Sequence, residues 1–220
     1  MTKTVKAAEL IERIPDGATL MVGGFMAVGS PQRLIDELVR QGKKDLTLIV
    51  NDTARPGVGV GKLISAGLVR QLVTSHIGTN PETQRQMHDG KLKVELVPQG
   101  TLVERIRAGG YGLGGILTRT GVGTPAEEGK RKVEVEGQVF LLEMPLRAQF
   151  ALVHARQADH IGNLTYALTA RNFNPLMAMA ADTVIAEARE VVPVGSITPD
   201  QVMTPGVIVD HLVAREYVHG

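Results

Sequence analysis

The feature that most constrains this chain is an alternation. Short apolar runs ending in glycine- or amide-rich loops are followed, again and again, by segments with helix punctuation. Residues 19–22 (TLMV) are the first apolar run and stop at Gly23-Gly24. The next segment offers Ser30 as an N-cap, Pro31 at the first helical position, an apolar stripe of Leu34, Ile35 and Leu38, and Gly42 to close it. Residues 46–50 read as a second strand, 62–69 as a helix and 71–77 as a third strand. Asn80-Pro81 starts a helix that stops at Gly90, and 92–97 is a fourth strand. Thr101 and Glu104, spaced T-x-x-E, predict a capping box that opens a helix running to residue 108. Strand-then-helix repetition predicts βαβ units and a parallel sheet.

The second half is patterned differently. Residues 111–129 are glycine-rich and poorly periodic, and 132–143 read as a hairpin turning at Glu136-Gly137. Strand signals return at 150–153, 183–186 and 207–209. With no linker or repeat, the expectation is one α/β unit over residues 1–220. Its sheet should be mainly parallel, open and flanked by helices, with a small mixed or antiparallel β portion.

Composition serves mainly to exclude. The chain has no cysteine, which removes disulfides, thiolate catalysis and thiolate metal sites. Its six histidines lack metal-ligand spacing, so no metal is expected. A net charge of +1 leaves no footprint for nucleic acid, and Lys130-Arg131-Lys132 reads as a solvated turn. The longest apolar run, residues 20–29, is too short to span a membrane. Glu9, Glu12 and Asp16 interrupt any leader, so a cytoplasmic chain is expected. Aromatic residues at 3%, without Trp, argue against a stacking platform for a nucleobase.

In parallel α/β sheets ligands bind outside the carboxyl ends of the strands. Those ends carry Gly23-Gly24-Phe25, Asn51-Asp52-Thr53, Ser75-His76 and Pro98-Gln99-Gly100. If the strands are neighbours, these loops form one crevice of backbone N–H groups and amides, suited to a carbonyl or carboxylate that becomes an oxyanion. The loop 23–31 also leads into a helix N-terminus, which favours anions. It has neither the Lys-Ser/Thr of a phosphate-binding loop nor G-x-G-x-x-G. Each loop alone also has a local turn-forming explanation. His76 reads as a hydrogen-bonded structural residue, and Glu127, Glu128 and Glu143 as surface charges.

Residues 16–31, D-G-A-T-L-M-V-G-G-F-x-x-x-G-x-P, closely resemble the α-subunit signature of family I (3-oxoacid, acetate and acetoacetate) CoA-transferases. Further blocks look like the same family: 96–102 (LVPQGTL), 104–110 (ERIRAGG), 120–124 (TGVGT), 143–148 (EMPLRA), and 162–166 with 170–175. Residues 51–54 and 75–82 look most like the acetate/acetoacetate α subunits; the 3-oxoadipate relatives tend to carry two Asn where this chain has Asn51-Asp52.

The resemblance implies the CoA-transferase fold and covalent catalysis by a glutamate. That carboxylate attacks an acyl-CoA thioester, a mixed anhydride gives a glutamyl-CoA thioester, and CoA passes to an acceptor acid. The nucleophile belongs to a Ser-Glu-Asn-Gly motif of a β subunit, which this chain lacks. No catalytic residue is therefore expected here, and the implied partner is that β subunit, in an αβ or α2β2 assembly. CoA enters as substrate and no cofactor is implied. Gly24, Phe25, Met26, Ala27, Val28, Gly29 and Ser30 are the implied CoA- or acyl-contacting stretch. Gly23, Asn51, Gln99 and Gly100 would border the acyl pocket, with the N–H groups of Gly24 and Phe25 near the thioester oxygen. Gly29 and Pro31 have a purely turn-setting alternative. A 3-oxoadipate or other 3-oxoacid CoA-transferase, and a non-catalytic sensor of acyl-CoA or a sugar phosphate, remain the rival readings.

Overall fold

The computed structural model describes residues 3–213. One sheet runs through it in the order β11-β10-β8-β1-β2-β3-β4, all neighbours parallel. The strands are β1 (Thr19–Val22), β2 (Leu46–Ile49), β3 (Val69–Thr74), β4 (Lys93–Leu96), β8 (Ala148–Asp159), β10 (Ala181–Val192) and β11 (His211–Val213). A two-residue strand, β9 (Leu164–Thr165), runs antiparallel to β8. A separate antiparallel sheet holds β5 (Ile116–Thr118), β6 (Arg131–Val135) and β7 (Gln138–Glu143).

The side-chain alternation of the strands sorts the core into two layers. Leu20 and Val22 of β1, with Leu46 and Leu48 of β2, face α1 (Ala7–Glu12), α2 (Gln32–Gln41) and α3 (Gly61–Ser65) through Leu10, Ile11, Leu34, Leu38, Leu63 and Ile64. Met21 and Ile49 point the other way. They meet α5 (Gln99–Gly110) and α6 (Asn174–Met179) through Leu102, Ile106 and Met177. Helices thus cover both faces, as a parallel sheet requires. One sheet edge is covered as well: Val5 N–H donates to Leu212 O, and Leu212 N–H to Lys3 O, both at 2.9 Å. The other edge, β4, is left open but carries Lys93 and Glu95, which discourage edge-to-edge pairing.

The mainly parallel sheet, the helical layers and the small antiparallel portion agree with the sequence expectation. Several boundaries do not. The helix read over 62–69 is only Gly61–Ser65, and Val69 already belongs to β3. The T-x-x-E capping box is absent: α5 begins at Gln99, so Thr101 lies inside the helix with its buried hydroxyl unpartnered. Residues 207–209 fall on a 3-10 turn (Gly206–Ile208), and the edge strand follows it. The signals at 150–153 and 183–186 are the centres of two twelve-residue strands paired along ten positions, Ala181↔Ala148 to Val192↔Asp159. The hairpin of β6 and β7 turns at Glu136 (φ 51°) and Gly137 (φ 73°), the two left-handed positions of a type I′ turn.

Glu143, read as a surface charge, is buried. It pairs with Lys130 and sits 3.9 Å from Arg105 Nε, while Arg105 Nη1 donates to Glu95 at 2.7 Å. This ion cluster, with Arg105 Nε donating to Met144 O, ties the small sheet to α5 and β4.

Candidate active site

The carboxyl ends of β1 to β4 stand side by side, and a cleft of about 390 Å³ opens over them. Phe25, Met26, Asn51, Asp52, Ser75, His76 and Gln99 line it. The crevice expected from four separate loops therefore exists, and Asn51 and Gln99 both line it. The strand order changes direction between β1 and β8, the usual ligand position in such sheets. Here that position is filled by Asn174. It is fully buried, accepts from His154 N–H at 2.9 Å and donates to Gly29 O at 3.0 Å and Ala170 O at 3.1 Å. The open cleft lies beside it, over β1 to β4.

The first loop is shaped by a turn that its sequence does not favour. Phe25 N–H donates to Val28 O (3.0 Å) and Val28 N–H to Phe25 O (2.8 Å), closing the turn around Met26 (φ 48°) and Ala27 (φ 68°). Both central residues are left-handed and neither is glycine, at roughly 1–2 kcal/mol each. Three neighbours hold the turn there. Asp52 Oδ2 accepts from Met26 N–H at 2.9 Å. Gly59 packs so tightly beneath Ala27 that a Cβ added to it would lie 2.8 Å from Ala27 Cβ. Gly24 (φ 119°) lets Ser30 tuck under the loop; a Cβ there would lie 2.1 Å from Ser30 Oγ.

This arrangement divides the stretch assigned to CoA or acyl contact. Phe25 and Met26 face the cleft and Val28 is exposed, whereas Ser30 is buried. Gly23 and Gly29 press against Asn174 and Ala170, and Gly100 lies in the first turn of α5, outside the cleft lining. The N–H of Phe25, assigned to the thioester oxygen, is already bonded to Val28 O.

Ser30 also does not cap α2, and the N-terminus of that helix is not an open anion site. Glu187, a buried carboxylate on β10, accepts from Arg33 N–H at 2.8 Å and Leu34 N–H at 3.2 Å and pairs with Arg33 Nε at 3.3 Å. A carboxylate from across the sheet thus takes the amides that a cap and an anion would have used.

Within the cleft the polar groups form an ordered relay. Asp52 Oδ1 accepts from Ala54 N–H (2.7 Å), and Oδ2 accepts from Asn51 Nδ2 (2.8 Å) as well as from Met26. A carboxylate that only accepts fixes which way the Asn51 amide faces. Asn51 Oδ1 is then left to accept from Gln99 Nε2 at 2.7 Å, with Ser75 Oγ at 3.3 Å nearby. The one hydrogen of the Ser75 hydroxyl goes to Asn51 O at 2.6 Å, so this hydroxyl braces the relay. His76 lines the cleft with Gly78 against its ring; a Cβ on Gly78 would lie 2.9 Å from His76 Cε1. Behind the loop, burial holds the His154 imidazole below its ordinary range, partly offset by Glu187, with Arg33 and Arg189 adding to the depression.

Three residues of this region carry roles that the sequence reading did not assign: Asp52, Asn174 and Glu187. Glu187 had a signal, because a single charge interrupts an apolar strand run directly after residues 183–186. Asn174 precedes Pro175 as helix starters do, which disguised its long-range role.

A mainly parallel α/β sheet with an amide-lined cleft at its carboxyl edge defines a class of small-molecule enzymes and binders. Residues 4–215 match the model of the Coenzyme A transferase family. The chain is 55% identical to the alpha chain of the acetate CoA-transferase of Escherichia coli (strain K12) over 91% of both chains. It is 49% identical to the alpha chain of the acetoacetyl-CoA:acetate/butyrate CoA transferase of Clostridium acetobutylicum, over 96% of this chain and 97% of that one. Identity to the corresponding chain of a 3-oxoadipate CoA-transferase from Pseudomonas putida is 45%, over 94% and 90%. The structure of an acyl-CoA transferase (YdiF) apoenzyme from Escherichia coli O157:H7 superposes with a TM-score of 0.84 at 24% identity, a likeness of fold; it covers all of this chain and 48% of the longer one, so this chain spans about half of it. The chain belongs to the Coenzyme A transferase family, as an α subunit.

Proposed function

We propose that this chain is the α subunit of a cytoplasmic CoA-transferase that moves CoA between short-chain acyl-CoA and carboxylic acids such as acetate or acetoacetate. It works with a β subunit that supplies the attacking glutamate. Residues 1–220 act as one unit, CoA is a substrate, and no further cofactor is needed. Among the described residues no helix is long and apolar enough to cross a membrane, and the lack of cysteine suits a reducing compartment.

One observation carries this reading. The cleft is lined by groups that orient and polarise, and the carboxylate and hydroxyl among them are already engaged within the wall. Its sole carboxylate, Asp52, is held by three N–H donors, and its sole hydroxyl, Ser75, is turned onto Asn51. An acyl pocket with no free carboxylate needs the attacking glutamate from outside, and the cleft lies at the carboxyl edge of the sheet.

In this reading the chain's residues bind and orient. Gln99 Nε2 has a second hydrogen beyond the one given to Asn51, which is available to an acyl or 3-oxo oxygen. Held rigidly by the bonds to Asp52 and to each other, the Asn51 and Gln99 amides are pre-set to orient an acid that enters the cleft. The test is reconstitution. The purified chain alone should give no transfer of CoA from acetyl-CoA to butyrate, and the co-purified two-subunit complex should give it. Transfer by the chain alone, or none by a stable complex with any short-chain acid, would overturn the proposal.

A further inference from the structure

Asp52 does more in this cleft than hold a turn. It is 5% exposed and stands in the wall beside Asn51 and Gln99, where the acyl group would lie. The lining contains no Lys or Arg; besides Asp52, its one titratable side chain is His76. The three partners of Asp52, the amides of Met26, Asn51 and Ala54, are neutral donors. They stabilise its charge by hydrogen bonding but do not cancel it. Both oxygens are anchored, so the carboxylate cannot swing away from an arriving group. In a partly desolvated cleft the repulsion between like charges is much stronger than in water.

Resting on the CoA-transferase reading, we infer that Asp52 is a specificity-determining residue that keeps this pocket for acids whose only carboxylate is the one that reacts. The reacting carboxyl must lie at the open mouth, where the partner's nucleophile reaches it, so the far end of the acid points into the cleft. A methyl, propyl or 3-oxo terminus is neutral there, and a 3-oxo oxygen meets the free hydrogen of Gln99. A second carboxylate would face Asp52 across the same small space with no Lys or Arg in the described lining to offset it. Specificity then comes from a repulsive element built into the wall, as selective sites commonly use. The identities of 55% and 45% to relatives named for acetate and for 3-oxoadipate are too close to decide the acid. The charge in the pocket decides it.

The experiment uses the two-subunit complex and compares kcat/KM for succinate with kcat/KM for acetate, with acetyl-CoA as donor. Asp52→Asn removes the charge at nearly constant volume. Whichever way the new amide faces, its NH2 meets a donor, either Ala54 N–H or the pair Met26 N–H and Asn51 Nδ2, so activity with every acid is expected to fall; the ratio is the readout. Gln99→Lys adds a cation to the lining beyond Asn51, replacing the bond from Gln99 to Asn51 Oδ1 while leaving the three bonds of Asp52 in place. Both substitutions should raise the succinate-to-acetate ratio at least about tenfold, a lower bound set by a charge pair that stays largely screened by water; a closer, drier pair would give more. If Asp52→Asn does not assemble, Gln99→Lys decides by the same ratio. An unchanged ratio in either assembled variant overturns the inference. Wild-type complex inactive with all acids would instead overturn the CoA-transferase reading itself.

Discussion

Two buried carboxylates stand at the carboxyl edge of the same sheet and do opposite work. Glu187 is spent: it takes two amides at the start of α2 and pairs with Arg33, lying behind the 23–31 loop and outside the cleft. Asp52 is bonded just as fully, yet it walls the cleft and meets no cation. One carboxylate builds the helix that carries the loop, and the other sets the charge and polarity of the pocket. Hydrogen-bond satisfaction therefore does not separate structural from functional groups here. What separates them is whether the group borders open space and whether its charge is cancelled.

That comparison can be broken in a graded way. Glu187→Ala leaves two helix amides without their acceptor and removes the ion pair of Arg33, which keeps its bonds to Ala188 O and Val213 O, and should cost about 3 kcal/mol of stability. Denaturant unfolding of the chain checks this, and the succinate-to-acetate ratio of the assembled variant should stay at the wild-type value. A shift in acid preference would mean that Glu187 reaches the pocket and that the division is false. Asp52→Asn predicts the converse, with a changed ratio as its mark.

A smaller effect comes from His154, which touches the Glu187 side of the comparison. Burial lowers its pKa, with Glu187 opposing and Arg33 and Arg189 reinforcing the shift. The unfolded chain then binds a proton more readily than the folded one. Stability should fall as pH drops through about 6.5 and level off once the folded imidazole also titrates. His154→Gln should show a shallower loss of Tm between pH of about 7 and 5. Some slope should remain, because burial and Arg13 also lower His211, against the opposing pull of Asp210. An equally steep loss in the variant would remove His154 from the account.

The sheet and its cleft were legible because their signals are local. Apolar runs, glycine stops and Asn80-Pro81 announce strands and helix starts, and Asn80 does cap α4 (Pro81–His88), accepting from Glu82 and Thr83 N–H. Polar residues after each strand then predict a crevice once the strands are adjacent. What stayed hidden was made by residues far apart in the chain. Glu187 displaces Ser30 as the cap from 154 residues away. Asn174 fills the β1/β8 position from 145 residues beyond Gly29. Residues 25–28 adopt a turn normally built from Asn-Gly, because Asp52, Gly59 and Ser30 over-determine it. Local propensity gave no hint of any of these, since each depends on tertiary contacts that override it.

The central claim is that this chain forms and tunes the acyl pocket while its partner forms the covalent bond. The most direct measurement is intact-mass analysis of both subunits after the complex is mixed with acetyl-CoA, without an acceptor acid, and reduced with borohydride. Reductive cleavage of a glutamyl-CoA thioester would inactivate the enzyme and leave its mass change on the partner subunit, with this chain unaltered. A mass change on this chain, at Glu104, Glu128, Glu143 or any other carboxylate, would contradict the account.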